Sequence, residues 1–212
     1  DRSSAASDVY KRQLPDFAGQ PEQKRLGLRQ VLSLRGIRPV LWVTFTYVLA
    51  HNILYTYIAP LLVPAGIVAD IDRILLVFGL AALLSIWLTG MLIDQHLRRL
   101  LIISCVMFAV SALALGVWMT STRAVYASVA LWGLAFGGLP ALLQTALAKS
   151  AGDSADAAQS MLVTVWNLGI AGGGLAGGML LQTSGVALFP WAVAGLVLLA
   201  LAATRRIART SA

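Results

Sequence analysis

The chain has 212 residues, of which 58% are hydrophobic and 12% charged. Soluble domains carry about 25% charged residues, so an ordinary soluble protein is excluded and a membrane protein is indicated. The net charge of +7 sits mostly in the two tails, since only Arg73, Arg98, Arg99, Arg123 and Lys149 are basic between Pro39 and Thr204; it reads as membrane topology, and no nucleic-acid partner is expected.

Residues 8–13, DVYKRQ, resemble the translated end of a transposase-made sequencing library. On that reading residues 1–13 are not native, the natural chain starts near Leu14, and the gene is cut so that its C-terminal part remains. A genuine polar tail is the alternative. Between residues 14 and 38, KRLGLRQVLSLRGIR sets Leu28, Val31 and Leu32 among basic residues. That pattern suits a short helix at an anionic membrane surface, or a solvated linker.

A helix crossing the ~30 Å hydrocarbon core needs about 20 apolar residues. Six stretches qualify: Pro39–Val63, Ile74–Ile93, Leu100–Thr120, Ala124–Ala148, Ala157–Thr183 and Val186–Thr204. None alternates as a barrel strand would. The fold class expected is therefore all-α membrane protein with six transmembrane helices over residues 39–204 and a basic tail over 205–212. Asp72 and Ser154 are candidate N-caps. Fourteen of the sixteen Lys and Arg fall in the tails and in the second and fourth loops, which places both termini in the cytoplasm. Cys105 is the sole cysteine and lies in an apolar run, so it reads as a packing residue.

The first span carries Thr44, Tyr47, His51 and Tyr55 within an arc of about 80°, with Asn52 beside it. Such a stripe suits a neighbouring helix or a wet cavity better than lipid. His51 lies ~18 Å into the span at 1.5 Å per residue. An imidazole there could bind substrate or carry a proton, its ordinary pKa being ~6.5; a structural histidine is the alternative. In the fourth span Trp132 and Phe136 are neighbours, with Pro140 and Gln144 following. The fifth places Thr164 and Asn167 on one face and Gly169, Gly173 and Gly177 on another, at a spacing that allows close helix contact. The third and sixth spans are almost devoid of polar groups and are expected to face lipid.

Between the second and third spans stands GMLIDQHLRR, Gly90 to Arg99. Its G-x-x-x-D-x-x-x-R-R skeleton resembles the loop signature of the major facilitator superfamily, with Gln95 where a basic residue is usual and Leu97 where a glycine is frequent. LPDFAGQ, NILYTYIAPLL, LWGLAFGGLPALLQT and WNLGIAGGGLAGG add likeness to its bacterial drug and sugar (arabinose-type) efflux members. The resemblance runs from Leu14 onward and fits the C-terminal half of a twelve-helix transporter. It implies two inverted three-helix repeats; TGMLIDQHL and GGMLLQTSG, sharing G-M-L at the ends of spans two and five, agree with that. It also implies a gating loop, in which Gly90 permits close packing, Asp94 caps a helix of the other half, and Arg98 and Arg99 clamp a carboxylate or lipid phosphate. His96 is expected to be solvated. The alternative is that these residues only end two helices and set topology.

The function implied is a secondary transporter of the bacterial inner membrane, multi-pass and acting by alternating access. It would export small organic molecules or sugars in exchange for protons, with substrate bound between this bundle and a missing N-terminal six-helix half. The lipid bilayer is the other partner, and no cofactor or metal is expected. An intramembrane hydrolase is the competing class, but His51 is the only base at depth and no G-x-S-x-G or H-E-x-x-H occurs. A six-helix protein working as a homodimer is a third possibility.

Overall fold

A computed structural model describes residues 26–207. The adapter-like stretch 1–13, residues 14–25 and the last five residues of the basic tail lie outside the described residues. Among those described, all regular structure is helical. The helices are α1 (Leu28–Ser33), α2 (Ile37–Thr56), α3 (Ile58–Leu62), α4 (Ile71–Trp118), α5 (Thr122–Gly137), α6 (Leu139–Ala151), α7 (Ala155–Ser184) and α8 (Phe189–Ile207).

Three continuous helical runs are long and apolar enough to cross a membrane: Val68–Trp118, Thr122–Ser184 and Val186–Ile207. A fourth candidate is the pair Ile37–Thr56 and Ile58–Ala65, bent by 68°. The bend has a local cause. Pro60 has no N–H to offer the carbonyl of Thr56 and its ring crowds that carbonyl, so the helix breaks at Tyr57. Pro140 stands in the same relation to Phe136, and the break between α5 and α6 falls at Gly138.

Two of the continuous runs fold back on themselves. Helix α4 has 48 residues, about 72 Å if straight, more than twice the hydrocarbon core. Yet Phe78 and Phe108, thirty residues apart in the chain, both touch Trp132, at ring-centroid distances of 4.8 and 6.0 Å. Helix α4 is therefore a hairpin of two arms, and its turn is His96, the one residue with non-helical backbone angles (φ −127°, ψ 20°). Only one residue leaves the helical region, so the helical run passes through a turn that the apolar pattern reads as a loop. His96 is half-buried there, and its Nδ1 is out of solvent without a hydrogen-bond partner. That corrects the expectation that it is simply solvated. The run from α5 to α7 reverses at residues 152–154 in the same way. Ala135 lies beside Tyr47 and Ser150 beside Gly36, so α5 and α6 run toward the start of α2. Helix α7 then runs back along α2, its Gly169 meeting Val48 and its Gly177 meeting Tyr57.

Small residues set the closest approaches. A Cβ at Gly133 would strike the backbone of Phe78, one at Gly137 the backbone of Ala82, and one at Gly138 the side chain of Thr89. The first arm of α4 thus lies directly on α5. On the other side of the bundle Gly169, Gly173 and Gly177 lie against α2, where Gly173 meets the Leu49 carbonyl and Asn52. Helix α8 covers α2 and the second arm of α4 with Phe189, Val193, Val197 and Ala200, all buried. The third and sixth predicted spans each bury one face and leave another exposed (Ile103, Val106, Val110 and Val117; Leu198 and Leu199). Lacking polar groups does not prevent packing, because helix contacts in a membrane rest on van der Waals fit. Exposed apolar faces lie also on the first arm of α4 (Leu76, Leu80, Leu83, Trp87) and on α7 (Leu175, Met179).

The basic residues converge. Arg35, Arg38 and Arg206 line one groove, so the start of α2 and the end of α8 share one end of the bundle. Ser150 at the end of α6 is there too. The first arm of α4 runs parallel to α5, since Phe78 meets Gly133 and Ala82 meets Gly137; its turn, with Arg98 and Arg99, lies toward the same end. At the other end are Arg123 and the Arg73–Asp70 ion pair (2.9 Å), the one ion pair found among the described residues. Asp70, not Asp72, occupies the N-cap position of α4, while Ser154 does so for α7. Ser121 caps α5 with its hydroxyl. Helix α1 turns Val31 into the core and leaves Leu28 exposed.

Candidate functional site

The densest chemistry lies where α2, the first arm of α4, α5 and α7 meet. His51 is the centre. Its ring stacks on Phe136 (3.6 Å, 9° between planes) and on Tyr55 (5.2 Å, 21°). It also touches Trp132 and Phe78. Trp132 donates its indole N–H to His51 Nδ1 at 3.2 Å. That bond makes Nδ1 an acceptor, so the neutral ring carries its proton on Nε2. Nε2 has no partner among the described residues, yet is not sealed from solvent. The cluster extends from Phe136 to Trp166 on α7 (6.3 Å). Tyr55, 44% exposed, forms its open rim.

Beneath this cluster is a polar tie. Tyr47, fully buried, reaches Ser104 Oγ at 2.9 Å and donates to the Ala135 carbonyl at 3.1 Å. Ser104 donates to the same carbonyl at 2.7 Å. Three segments, α2, the second arm of α4 and α5, are fastened at one point. Interhelical hydrogen bonds inside membrane proteins contribute about 0.6 kcal/mol on average and at most about 1.7. Tyr47→Phe is expected to lose stability within that range and to leave the ring contacts with Phe108 and Phe136 in place. Unfolding of the purified protein in a graded detergent mixture measures it.

The residues singled out in the sequence separate into groups. His51, Tyr55, Trp132 and Phe136 come together in the aromatic cluster. Tyr47 touches its underside but spends its hydroxyl on the polar tie. Thr44 is buried and bonded to the Val40 carbonyl of its own helix. Asn52 bonds to the Val48 carbonyl and lies against Gly173 of α7. Gln144 is exposed on α6, across the Gly138 break from the cluster. Thr164 and Asn167 are exposed, with hydrogen bonds back to Ser160 and Val163 of their own turn. At about 100° per residue Thr164 lies roughly 140–180° and Asn167 roughly 80–160° from the three glycines that contact α2, so their face is turned away from α2. Asn167 Oδ1 accepts no hydrogen bond among the described residues.

Phe78, Ser104 and Trp166 belong to this region and were not singled out. Phe78 sits in an unbroken apolar run, and Ser104 in one with no polar period, so neither had a sequence signal. Trp166 did have one, standing next to Asn167.

The charged turn is laid open. Asp94, Arg98 and Arg99 are exposed and form no ion pair among the described residues. Gly90 is exposed, with open space where a Cβ would be. The close packing expected of Gly90 is therefore not made with any described residue.

No family model matches the chain. It is similar to curated proteins named purine ribonucleoside efflux pump NepI. The proteins of that name from Salmonella paratyphi C and Salmonella typhimurium are 29% identical to it over 184 residues, 86% of this chain and 46% of each relative. The one from Salmonella enteritidis PT4 is 28% identical over 188 residues, 88% of this chain and 47% of the relative. The chain thus spans about half the length of the curated relatives it matches.

Proposed function

We propose that this chain is the C-terminal half of a major facilitator efflux transporter, and that it exports small planar organic molecules, purine ribonucleosides first among them. The observation that carries the reading is the aromatic cluster around His51. It offers the exposed ring of Tyr55 beside the half-buried Phe78, Phe136 and Trp166, and one nitrogen free to hydrogen-bond, next to an outward polar face on α7 that suits a wet cavity better than lipid. Aromatic stacking with a few placed polar groups is how proteins hold planar, moderately apolar molecules. The name borne by the relatives points to the same substrate class.

On this reading residues 39–204 cross the bilayer six times, as two inverted three-helix repeats. The hairpin at His96 and the reversal at 152–154 support that count. Both termini lie in the cytoplasm of the bacterial inner membrane, supported by the gathering of Arg35, Arg38, Arg98, Arg99, Lys149 and Arg206 toward one end. Residues 14–38 are then the remnant of a central cytoplasmic loop, and residues 1–13 an adapter translation. The exposed apolar faces of the first arm of α4 and of α7 meet the N-terminal six-helix half. Between the halves, the exposed Gln144, Thr164 and Asn167 border the substrate path. Protons drive export, and His51, whose Nδ1 is taken by Trp132, offers its Nε2–H to the substrate.

Asp94, Arg98 and Arg99 form a gate latch toward the other half, which agrees with their having no partner here. Asp94→Asn in the full-length protein is expected to slow inosine release from preloaded cells by at least fivefold, with unchanged amounts of protein in the membrane. Equal release per inserted molecule would remove the latch. Exchange of label with no net release would point to a binding protein without gating.

A further inference from the structure

We infer that the groove between α2 and α8 at the basic end of the bundle is a binding site for one anionic phospholipid. Two adjoining hollows form it. One, of about 450 Å³, is lined by Leu32, Leu34, Arg35, Arg38 and Pro39, together with Arg206. The other, of about 560 Å³, is lined by Arg38, Pro39, Trp42, Leu199, Ala202, Ala203 and Arg206. Arg38, Pro39 and Arg206 belong to both, so the two are continuous.

The chemistry is graded along the groove as a phospholipid is. Arg35, Arg38 and Arg206 stand at its outer end, and among the described residues no Asp or Glu lines either hollow. Arg38 uses its Nε–H on the Leu32 carbonyl at 2.9 Å. That bond fixes the guanidinium plane and leaves its other four N–H groups for an incoming phosphate. Trp42 lies one helical turn inward from Arg38, about 6 Å, and Leu199 about 10 Å inward from Arg206. Both are about half exposed, at 50% and 51%. A headgroup phosphate held by the arginines would send an acyl chain over Trp42, Ala202 and Leu199, toward the centre of the bundle's length. An indole beside the arginines is the interfacial anchor such a site calls for. Basic pockets between helices at the cytoplasmic face recognise anionic headgroups in this manner.

The groove is separate from the aromatic cluster. Trp42 and His51 are nine residues apart on α2, which puts them on faces about 180° apart. A lipid there would hold the two ends of the bundle, the entry to α2 and the exit of α8, together without touching the substrate path.

The test is native mass spectrometry of the purified full-length protein, titrated in detergent with phosphatidylglycerol or with phosphatidylcholine of the same chains. Wild type should retain phosphatidylglycerol at least tenfold more strongly than phosphatidylcholine. Arg38→Gln with Arg206→Gln should remove one retained phosphatidylglycerol and weaken retention at least tenfold. Ala202→Trp, which fills the groove at an exposed position and leaves the charges alone, should do the same. Arg73→Gln at the opposite end should change nothing. Full retention in the double variant would overturn the site, as would equal retention of both lipids. Displacement of the lipid by millimolar inorganic phosphate, with Ala202→Trp silent, would show a phosphate pocket instead and overturn the lipid assignment.

Discussion

Gly137→Leu abolishes the folded bundle. The leucine Cβ would lie inside the backbone of Ala82, whose Cα and carbonyl carbon stand at 2.7 and 2.8 Å from that position. Backbone cannot rotate aside as a side chain can. Helix α5 and the first arm of α4 would have to separate along the stretch that also seats Gly133 on Phe78 and Gly138 on Thr89. Overpacking a core costs about 1–3 kcal/mol where side chains absorb it, and here the cost is expected to exceed that range. The loss is not local. Phe78, Trp132 and Phe136 bridge the same two segments, so the aromatic cluster parts with the helices. Size-exclusion profiles in mild detergent should show aggregate in place of the monodisperse wild-type peak. The control is Gly195→Ala on α8, where a Cβ meets nothing within 4 Å. That change should leave the profile as it is, or raise stability by up to about 1 kcal/mol through helix propensity. A monodisperse Gly137→Leu protein would mean that α4 and α5 are not in contact as described.

The second large effect is on transport. His51→Phe keeps a flat ring against Phe136 and Tyr55 but removes both nitrogens. The Trp132 indole N–H then has no acceptor, and the unpartnered Nε2 disappears. Leaving a buried donor unpaired costs about 1–3 kcal/mol, which a bundle of this size should survive. Inosine transport per inserted molecule is expected to fall at least tenfold, since the Nε2–H that would bond the substrate is gone. His51→Gln restores an acceptor for Trp132 without the stacked ring. It should recover stability and leave transport low. If His51→Phe transports at the wild-type rate, the histidine is structural.

These two effects mark what could and could not be read from the residue order. The apolar stretches were legible, because twenty-residue runs without charge have few structural outlets, and the helices occupy them to within a few residues at most ends. Breaks at Pro60 and Pro140 followed from proline's missing N–H, although only the second was singled out. The hairpin at His96 lay in the stretch already read as a loop, but the nature of the turn did not show. Only one residue departs from helical angles, and no hydropathy pattern carries φ and ψ. Of the cluster, the residues on α2 and α5 declared themselves by helical spacing. Phe78 did not, because its partners are set by glycines fifty residues away on α5, where Gly133 and Gly137 let the backbone come close enough. Spans three and six show the same limit from another side, since each packs one apolar face and exposes another. An apolar helix surface is equally suited to lipid and to another apolar helix, so composition alone cannot assign its neighbour.

The central claim is that this chain belongs to an exporter whose substrate rests on the His51 cluster. Inside-out membrane vesicles from cells producing the full-length protein test it most directly, given radiolabelled inosine and an imposed gradient with the interior acid. Wild-type vesicles should accumulate label, collapse of the gradient should release it, and His51→Phe vesicles should not accumulate it. Accumulation equal to that of vesicles lacking the protein, for inosine and for guanosine and adenosine alike, would contradict the account.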